Sequence, residues 1–262
     1  MTEVVPRTEA GPQRRARVLS RLREVGVLSV TDLAHELGVS PMTVRRDMHR
    51  LEATGQVRTV HGGVGLAGHP TTALGPACDR AGVRRIARRA AQLIAPDDTV
   101  ALDAGPAAHE LGRALPGDFA GSVITHSMPV MQLLAERVGG PSRPRLVALG
   151  GELTWARQAL VGPTTVAAIA GLRARTFFLD AAAVDFRGTY ACSTAEAQVA
   201  RGLADIADQV VLLATGAAFT GSAPALVAGL SRLAAVVTDR SPPAALARAL
   251  ERAEVPLYVA AG

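Results

Sequence analysis

At 262 residues the chain is long enough to bury the cores of one small and one ordinary-sized domain, so it needs neither metal nor disulfide staples to fold. Apolar residues make up 48% and aromatics only 3%, with abundant Ala and Gly, which argues against an all-β sandwich and for helices packed on a sheet. The 28 basic residues are all arginine, and the net charge of +5 is uneven: residues 1–66 carry 10 Arg against 7 acids, the remaining 196 carry 18 against 16.

Charge is therefore densest at the N-terminus, where nucleic acid or another acidic surface could use it. Cys78 and Cys192 form no motif and no disulfide scaffold, which fits a reducing compartment. No apolar core of a signal peptide opens the chain, and no run of about 18 apolar residues offers a membrane span. The expectation is a cytoplasmic protein with no membrane partner.

From Gln13 to Val25, Val18, Leu19, Leu22 and Val25 recur at helical spacing with arginines on the other face, and Gly26 ends the helix. In "VLSVTDLAHELGVS" the pattern predicts a short second helix with Thr31 as N-cap before Leu33, Ala34 and Leu37, closed by Gly38. Ser40 then caps a third helix that starts at Pro41, whose fixed φ suits the first helical position and whose missing N–H would be unpaired there anyway.

On the third helix Val44, Met48 and Leu51 form one stripe at i, i+4 and i+7 that must pack on the other two. At about 100° per residue, Met42, Arg45, Arg46 and His49 point away from it, with Thr43 and Arg50 on its flank. A tight "GVS" turn leading into such a helix is the geometry that sets a helix N-terminus in a DNA major groove; a merely solvated basic face is the alternative. "QVRTVHGGVG" follows as a two-strand wing able to bring Arg58 and His61 beside phosphates or the minor groove.

The stretch "LSVTDLAHELGVSPMTVRRDMHRLEATGQVRTVHGG" resembles the winged helix-turn-helix of the DeoR family of bacterial transcriptional regulators. Val39, Ser40, Thr43, Arg45, Arg46, Asp47, Leu51, Gly55, His61, Gly62 and Gly63 stand at the family's spacing. The resemblance implies double-stranded operator DNA as partner, with Thr31, Ser40, Met42, Thr43, Arg45, Arg46, His49, Arg50, Arg58 and His61 as the contact set. Asp47, beside Arg46 and Arg50 in sequence, is expected to orient a guanidinium. Gly63, Gly65 and Gly68 satisfy G-x-G-x-x-G spacing, but His69 and Pro70 interrupt where a helix would have to follow, so a dinucleotide loop is rejected.

Residues 64–78, rich in Gly, Pro, Ala and Thr, mark a boundary: a winged helix-turn-helix over 13–66 (the helix-turn-helix itself about 28–51), a linker over 67–78 and a second domain over 79–262. Beyond it helices are predicted near 80–94, 128–137, 162–171, 194–207 and 243–252. They alternate with the strands "TVALDAG", "SVITHS", "RLVALGG", "TFFLDAA", "QVVLLATG", "LAAVVTD" and "PLYVA". The fold class is α/β, a mostly parallel sheet covered on both faces, whose ligands sit at the strands' carboxyl ends.

Polar residues and glycines collect at those ends: Asp103 and Gly105, Thr125, His126 and Ser127, Gly150 and Gly151, Asp185, Thr215 and Gly216. In position they resemble the family's effector domain, which is similar to sugar-phosphate isomerases. That resemblance implies a small-molecule effector of the sugar or sugar phosphate class, held around these residues together with Gly162 and Glu196. Departures are marked. The family's Asp-Ala-Gly-Thr-Thr is here "DAGPA", with Pro106 and Ala107; its Glu-Ala-x-Val-Lys is "EAQVA", with Ala200 at the lysine and Arg201 one step later; its Leu-Ala-Asp-Ser-Ser-Lys is "LATGAA", with Thr215 and Ala218 at the Asp and Lys.

An arginine-only composition explains Lys to Arg but not Lys to Ala, so the anion-binding chemistry is depleted. The expectation is a less anionic effector, or a domain kept for assembly. No catalytic residue, metal site or cofactor is predicted: the six histidines are scattered without i, i+4 pairing or nearby cysteines. Asp185 and Glu196 as an acid/base pair for sugar isomerisation form the enzyme alternative. One winged helix offers few base contacts, so a homo-oligomer, dimer or tetramer, is expected on the operator. Repression is the usual family outcome, with activation left open.

Overall fold

A computed structural model describes residues 11–25, 27–60, 63–66, 79–136 and 143–260. The chain divides into two compact units, residues 1–77 and 78–262. The first contains α1 (Gly11–Val25), β1 (Val27–Leu28), α2 (Val30–Leu37), α3 (Pro41–Ala53), β2 (Val57–Val60) and β3 (Gly63–Leu66). Strands β2 and β3 pair antiparallel from Val57↔Leu66 to Val60↔Gly63, and β1 joins the free side of β3. Nothing in the residue pattern marks β1, because two residues are too few for alternation to register.

The core of this unit is the apolar seam that helical periodicity requires: Val18 and Leu22 of α1, Leu33 of α2, and Val44, Met48 and Leu51 of α3. Gly38 and Gly55 adopt φ of +63° and +67°, the left-handed conformation that lets α2 and α3 stop abruptly. The start of α2 corrects one expectation. The helix begins at Val30, so Ser29 and not Thr31 caps it: Ser29 Oγ accepts the Asp32 N–H at 3.0 Å and the Ser29 carbonyl accepts that of Leu33 at 3.1 Å. The side chains of Thr31 and Arg58, and His61 and the 67–78 stretch entirely, lie outside the described residues.

A second correction concerns charge. Asp47 is 3% exposed and accepts from Arg14 Nε at 2.6 Å and from an Arg15 guanidinium nitrogen at 3.2 Å, both on α1. It does not orient Arg46 or Arg50 in the way its sequence neighbours suggest, and Arg14, itself 8% exposed, is not on a solvated face. Helical geometry explains this. Position 47 lies within about 60° of the Val44, Met48 and Leu51 stripe and so faces α1, whereas 46 and 50 lie well around the cylinder.

The second unit contains α4 (Arg80–Ala91), β4 (Thr99–Leu102), α5 (Pro106–Arg113), β5 (Ser122–Thr125), α6 (Met128–Ala135), β6 (Arg145–Ala148), β7 (Glu152–Thr154), β8 (Ala159–Val161) and α7 (Pro163–Ile169). It continues with β9 (Ala174–Asp180), β10 (Ala183–Asp185), β11 (Gly188–Ala191), α8 (Thr194–Asp205), β12 (Ala207–Ala214), β13 (Ala225–Ala228), β14 (Ala235–Thr238), α9 (Ala244–Arg252) and β15 (Leu257–Val259). Seven strands form one sheet in the order β15-β14-β12-β9-β4-β5-β6, with every neighbouring pair parallel.

Successive residues of a strand face opposite ways, so the buried runs feed two cores. Phe177 packs in the cluster containing residues of α7, α8 and α9, and its neighbour Phe178 in the one containing residues of α4, α5 and α6. Helix α5, the β7–β8 hairpin and the antiparallel β10-β11-β13 sheet are elements the residue pattern did not announce. Strands of three or four residues carry too little alternation, and the eight-residue α5 follows directly on a strand end.

Strand order positions the site. The chain lays down β4, β5 and β6 in one direction, then returns to place β9 on the other side of β4 and builds outward through β12, β14 and β15. The carboxyl ends of β4 and β9 therefore diverge at a topological switch point, where a parallel α/β sheet opens a crevice.

Candidate functional site

Two surfaces carry chemistry. In the first unit α3 is fixed at its start by Ser40, whose Oγ accepts the Thr43 N–H at 3.2 Å and exchanges a hydrogen bond with Thr43 Oγ1 at 2.9 Å. Its buried stripe holds the helix by one face, which leaves Arg45, Arg46, His49 and Arg50 exposed on the other, with Met42 63% exposed at the helix start. The Asp47 clamp to Arg14 and Arg15 adds a polar anchor between α1 and α3. An outward row of guanidinium groups on a helix anchored from behind can meet phosphates or guanine edges of a duplex.

In the second unit the switch point holds a pocket lined by Asp103 and Ala104 after β4, Asp180 to Ala182 at the end of β9, and His126, Arg157 and Glu196. Asp103 is the hub: Oδ1 accepts from the Ala104 N–H at 2.8 Å and meets His126 Nε2 at 2.9 Å, while Oδ2 accepts the Asp180 N–H at 3.0 Å. His126 Nδ1 meets the Leu160 carbonyl at 2.9 Å, so it is the donor there.

The Arg157 guanidinium comes from the turn between β7 and β8 and donates to the Ala104 carbonyl at 3.0 and 2.6 Å and to the Asp180 carbonyl at 3.4 Å. The Glu196 carboxylate stands 3.9 Å away. Asp180 turns its carboxylate to the N-terminus of α5, where Oδ2 accepts the amides of Ala107 at 2.7 Å and Ala108 at 3.1 Å.

Burial and charge pull these groups in different directions. Burial alone would raise the Asp103 carboxyl, but the His126 hydrogen bond and charge, with Arg157 and the Ala104 amide, outweigh it and hold it below its ordinary value. For Asp180 burial wins over Arg157 and the two amides, and its carboxyl is pushed up to about 6. Burial raises Glu196 as well. Burial would lower Arg157, yet Asp180, Asp103 and Glu196 around it overcome that and raise it. The space these side chains leave amounts to a cavity of about 10 Å³, the least that holds one water.

Of the ten residues expected around an effector, Asp103, His126 and Glu196 line this pocket. Gly105 sits at its edge as the residue before α5. Thr125 donates to the Leu102 carbonyl at 2.8 Å and accepts the Ser127 N–H, tying β4 to β5, and Ser127 caps α6. Gly150 and Gly151 form a turn clasped by Thr165, whose hydroxyl donates to the Gly150 carbonyl at 2.7 Å; Gly151 has φ of +142° and no room for a Cβ beside Thr165. Gly162, at φ +95°, precedes α7. Asp185 closes the β10–β11 turn by accepting the Arg187 and Gly188 amides and the Tyr190 hydroxyl.

The departures from the family pattern also have places. Pro106 is the first residue of α5, not part of an open loop, so the lost N–H is one the helix would leave unpaired. Ala200 is buried against the pocket, while Arg201 turns away to the Leu226 carbonyl and does not replace a lysine there. Thr215 precedes a 3₁₀ turn over Gly216–Phe219, with Ala218 buried and the Gly216 amide bound by Asp239 at 2.7 Å.

Residue reasoning missed Arg157 and Asp180. Asp180 was within reach, since it ends a predicted strand. Arg157 was not: in "TWARQAL" nothing separates it from a solvated arginine.

The family model described as DeoR-like helix-turn-helix domain matches residues 14–69, and that of the DeoR C terminal sensor domain matches residues 80–240. The putative aga operon transcriptional repressor of Escherichia coli O157:H7 is 27% identical over 93% of this chain and 91% of its own length. The HTH-type transcriptional repressor CsqR of Escherichia coli (strain K12) is 26% identical over 95% of each chain. The glycerol-3-phosphate regulon repressor of the same strain is 25% identical over 91% of this chain and 94% of its own. Among solved structures, ribose 5-phosphate isomerase A from Neisseria gonorrhoeae matches 52% of each chain at 14% identity with a TM-score of 0.34, a distance at which it speaks to neither ligand nor activity.

Proposed function

This chain belongs to the DeoR family of DNA-binding transcriptional regulators, and on that premise we propose that it represses an operon of carbohydrate-related metabolism by binding operator DNA through α3. The observation that carries the reading is the division of α3 into a buried stripe and an outward face bearing Arg45, Arg46, His49 and Arg50. Arg45 and Arg46 contact base edges or phosphates, Ser40, Met42 and Thr43 stand at the helix start, and Thr31, Arg58 and His61 complete the contact set. Binding as a homo-oligomer places two such helices about one duplex turn, roughly 34 Å, apart.

The metabolic assignment follows relatives named for the aga operon and the glycerol-3-phosphate regulon. The pocket at the switch point is the effector site of this reading, and an effector there biases the arrangement of the DNA-binding units by about 1–3 kcal/mol. Its polar side chains are three carboxylates, one guanidinium, one imidazole and the Tyr190 phenol, a balance suited to a ligand less anionic than a sugar phosphate. A second reading, a regulator whose operator affinity ignores every metabolite, draws on the cavity's size of about 10 Å³.

The test of the DNA reading is Arg46→Ala on a promoter fragment from the protein's own locus. Loss of a base contact lowers affinity by about 5- to 150-fold, or roughly 1–3 kcal/mol. Loss of a phosphate contact makes the negative slope of log K against log salt shallower by roughly 0.9. Binding that is unchanged in both respects removes α3 from the interface.

A further inference from the structure

We propose that Asp180 is the standing occupant of an anion site, a built-in ligand whose carboxylate lies where the first amides of α5 and the Arg157 guanidinium would otherwise hold a phosphate. The pocket is thereby reserved for uncharged, donor-rich ligands. The inference rests on the second unit's reading as the sensor and names the class of effector that reading leaves open.

Gly105 stands at the N-cap of α5 and Pro106 is its first residue, and neither supplies a capping side chain. Pro106 has no N–H, so the first donors the helix presents are Ala107 and Ala108, and one oxygen of Asp180 accepts both across more than seventy residues of chain. The approach is so close that a Cβ at position 105 would overlap the Asp180 carboxyl; glycine there is what admits it. A helix N-terminus attracts an anion through its free amides and its dipole, and here that attraction is spent on a side chain of the protein.

Arg157 adds the second half of an anion site. Its guanidinium donates to the carbonyls of Ala104 and Asp180, and its charge acts on Asp103, Asp180 and Glu196. With the amides and the guanidinium engaged, the polar groups left facing the pocket are acceptors, chiefly Glu196, whose nearest approach to Arg157 is 3.9 Å. Acceptors recognise hydroxyl or amine donors, and a phosphate placed among them meets like charge.

The experiment follows thermal unfolding of the full chain in inorganic phosphate against chloride at matched ionic strength. The wild type is expected to show no phosphate-specific rise in Tm. Asp180→Ala frees both amides and removes the negative charge beside Arg157, and its Tm should climb by several degrees as phosphate reaches on the order of 10 mM. The climb should vanish when Arg157→Gln is added. If Asp180→Ala does not fold, Asp180→Ser, which keeps one acceptor near the helix, replaces it.

A wild type stabilised as strongly as the variant, or a folded variant indifferent to phosphate, overturns the proposal. Operator affinity measured in the same samples separates it from the sensing role. Phosphate bound by the variant without any change in operator affinity upholds the Asp180 assignment and counts against the pocket as a sensor.

Discussion

Replacing Asp47 with alanine removes the buried acceptor shared by Arg14 and Arg15 and leaves the outward face of α3 untouched. The Arg14 bond is 2.6 Å long between side chains 10% and 4% exposed, close to a buried charge pair, while the Arg15 side chain is 23% exposed and its bond is 3.2 Å. Breaking a buried pair costs about 3–5 kcal/mol and a charged hydrogen bond about 1.5–3. Partial exposure of the arginines discounts both figures, so a loss of roughly 2–4 kcal/mol is expected.

A unit of this size has a total stability of about 4–10 kcal/mol, so its unfolded population should rise about 30- to 800-fold. The single Trp and both Tyr lie in residues 78–262, so intrinsic fluorescence is blind to the change. Amide hydrogen exchange along α3 reads it directly. Operator affinity should fall as well, although no DNA-facing residue has been altered. Asp47→Leu combined with Arg14→Met should recover much of the stability, because an apolar pair of similar volume avoids the desolvation cost. Exchange protection in Asp47→Ala within about 0.5 kcal/mol of wild type would refute the clamp.

Ser40→Ala removes the side-chain acceptor for the Thr43 amide and should cost about 1 kcal/mol, seen in the exchange of the first amides of α3, with Ser40→Gly costing less. Gly151→Ala forces a side chain into a backbone at φ +142° and against Thr165; a loss of about 1–3 kcal/mol or more should lower the second unit's urea midpoint, and an unmoved midpoint would show that the turn can relax. Burial holds Asp180 up at about 6 against an ordinary 3.8, so the folded unit binds that proton more tightly than the unfolded chain. This contribution to stability is full below 3.8 and is lost as pH rises through about 6. In urea titrations followed by circular dichroism, the stability of wild type minus that of Asp180→Asn should therefore decline across this window and level off above it. A difference that stays constant with pH would contradict the burial of the charge.

The parts legible from residues alone are those that short-range physics decides. Ser40 and Pro41 open a helix, Gly38 closes one, and Val44, Met48 and Leu51 must share a side of any helix they occupy. The runs of Val, Leu and Phe that became β9, β12 and β14 are buried on both faces, which is why they read as strands without alternation. Tertiary structure decided which charges are buried and with whom. Asp47 meets Arg14 across 33 positions and Asp180 meets Ala107 across 73.

No local periodicity encodes such pairings, and an arginine bound for a pocket has the same composition and neighbours as one bound for solvent. Only the return of the chain to lay β9 beside β4 brings Asp180 to the start of α5 and Arg157 to its side. Once water is excluded there, each charge must find its partner inside the protein.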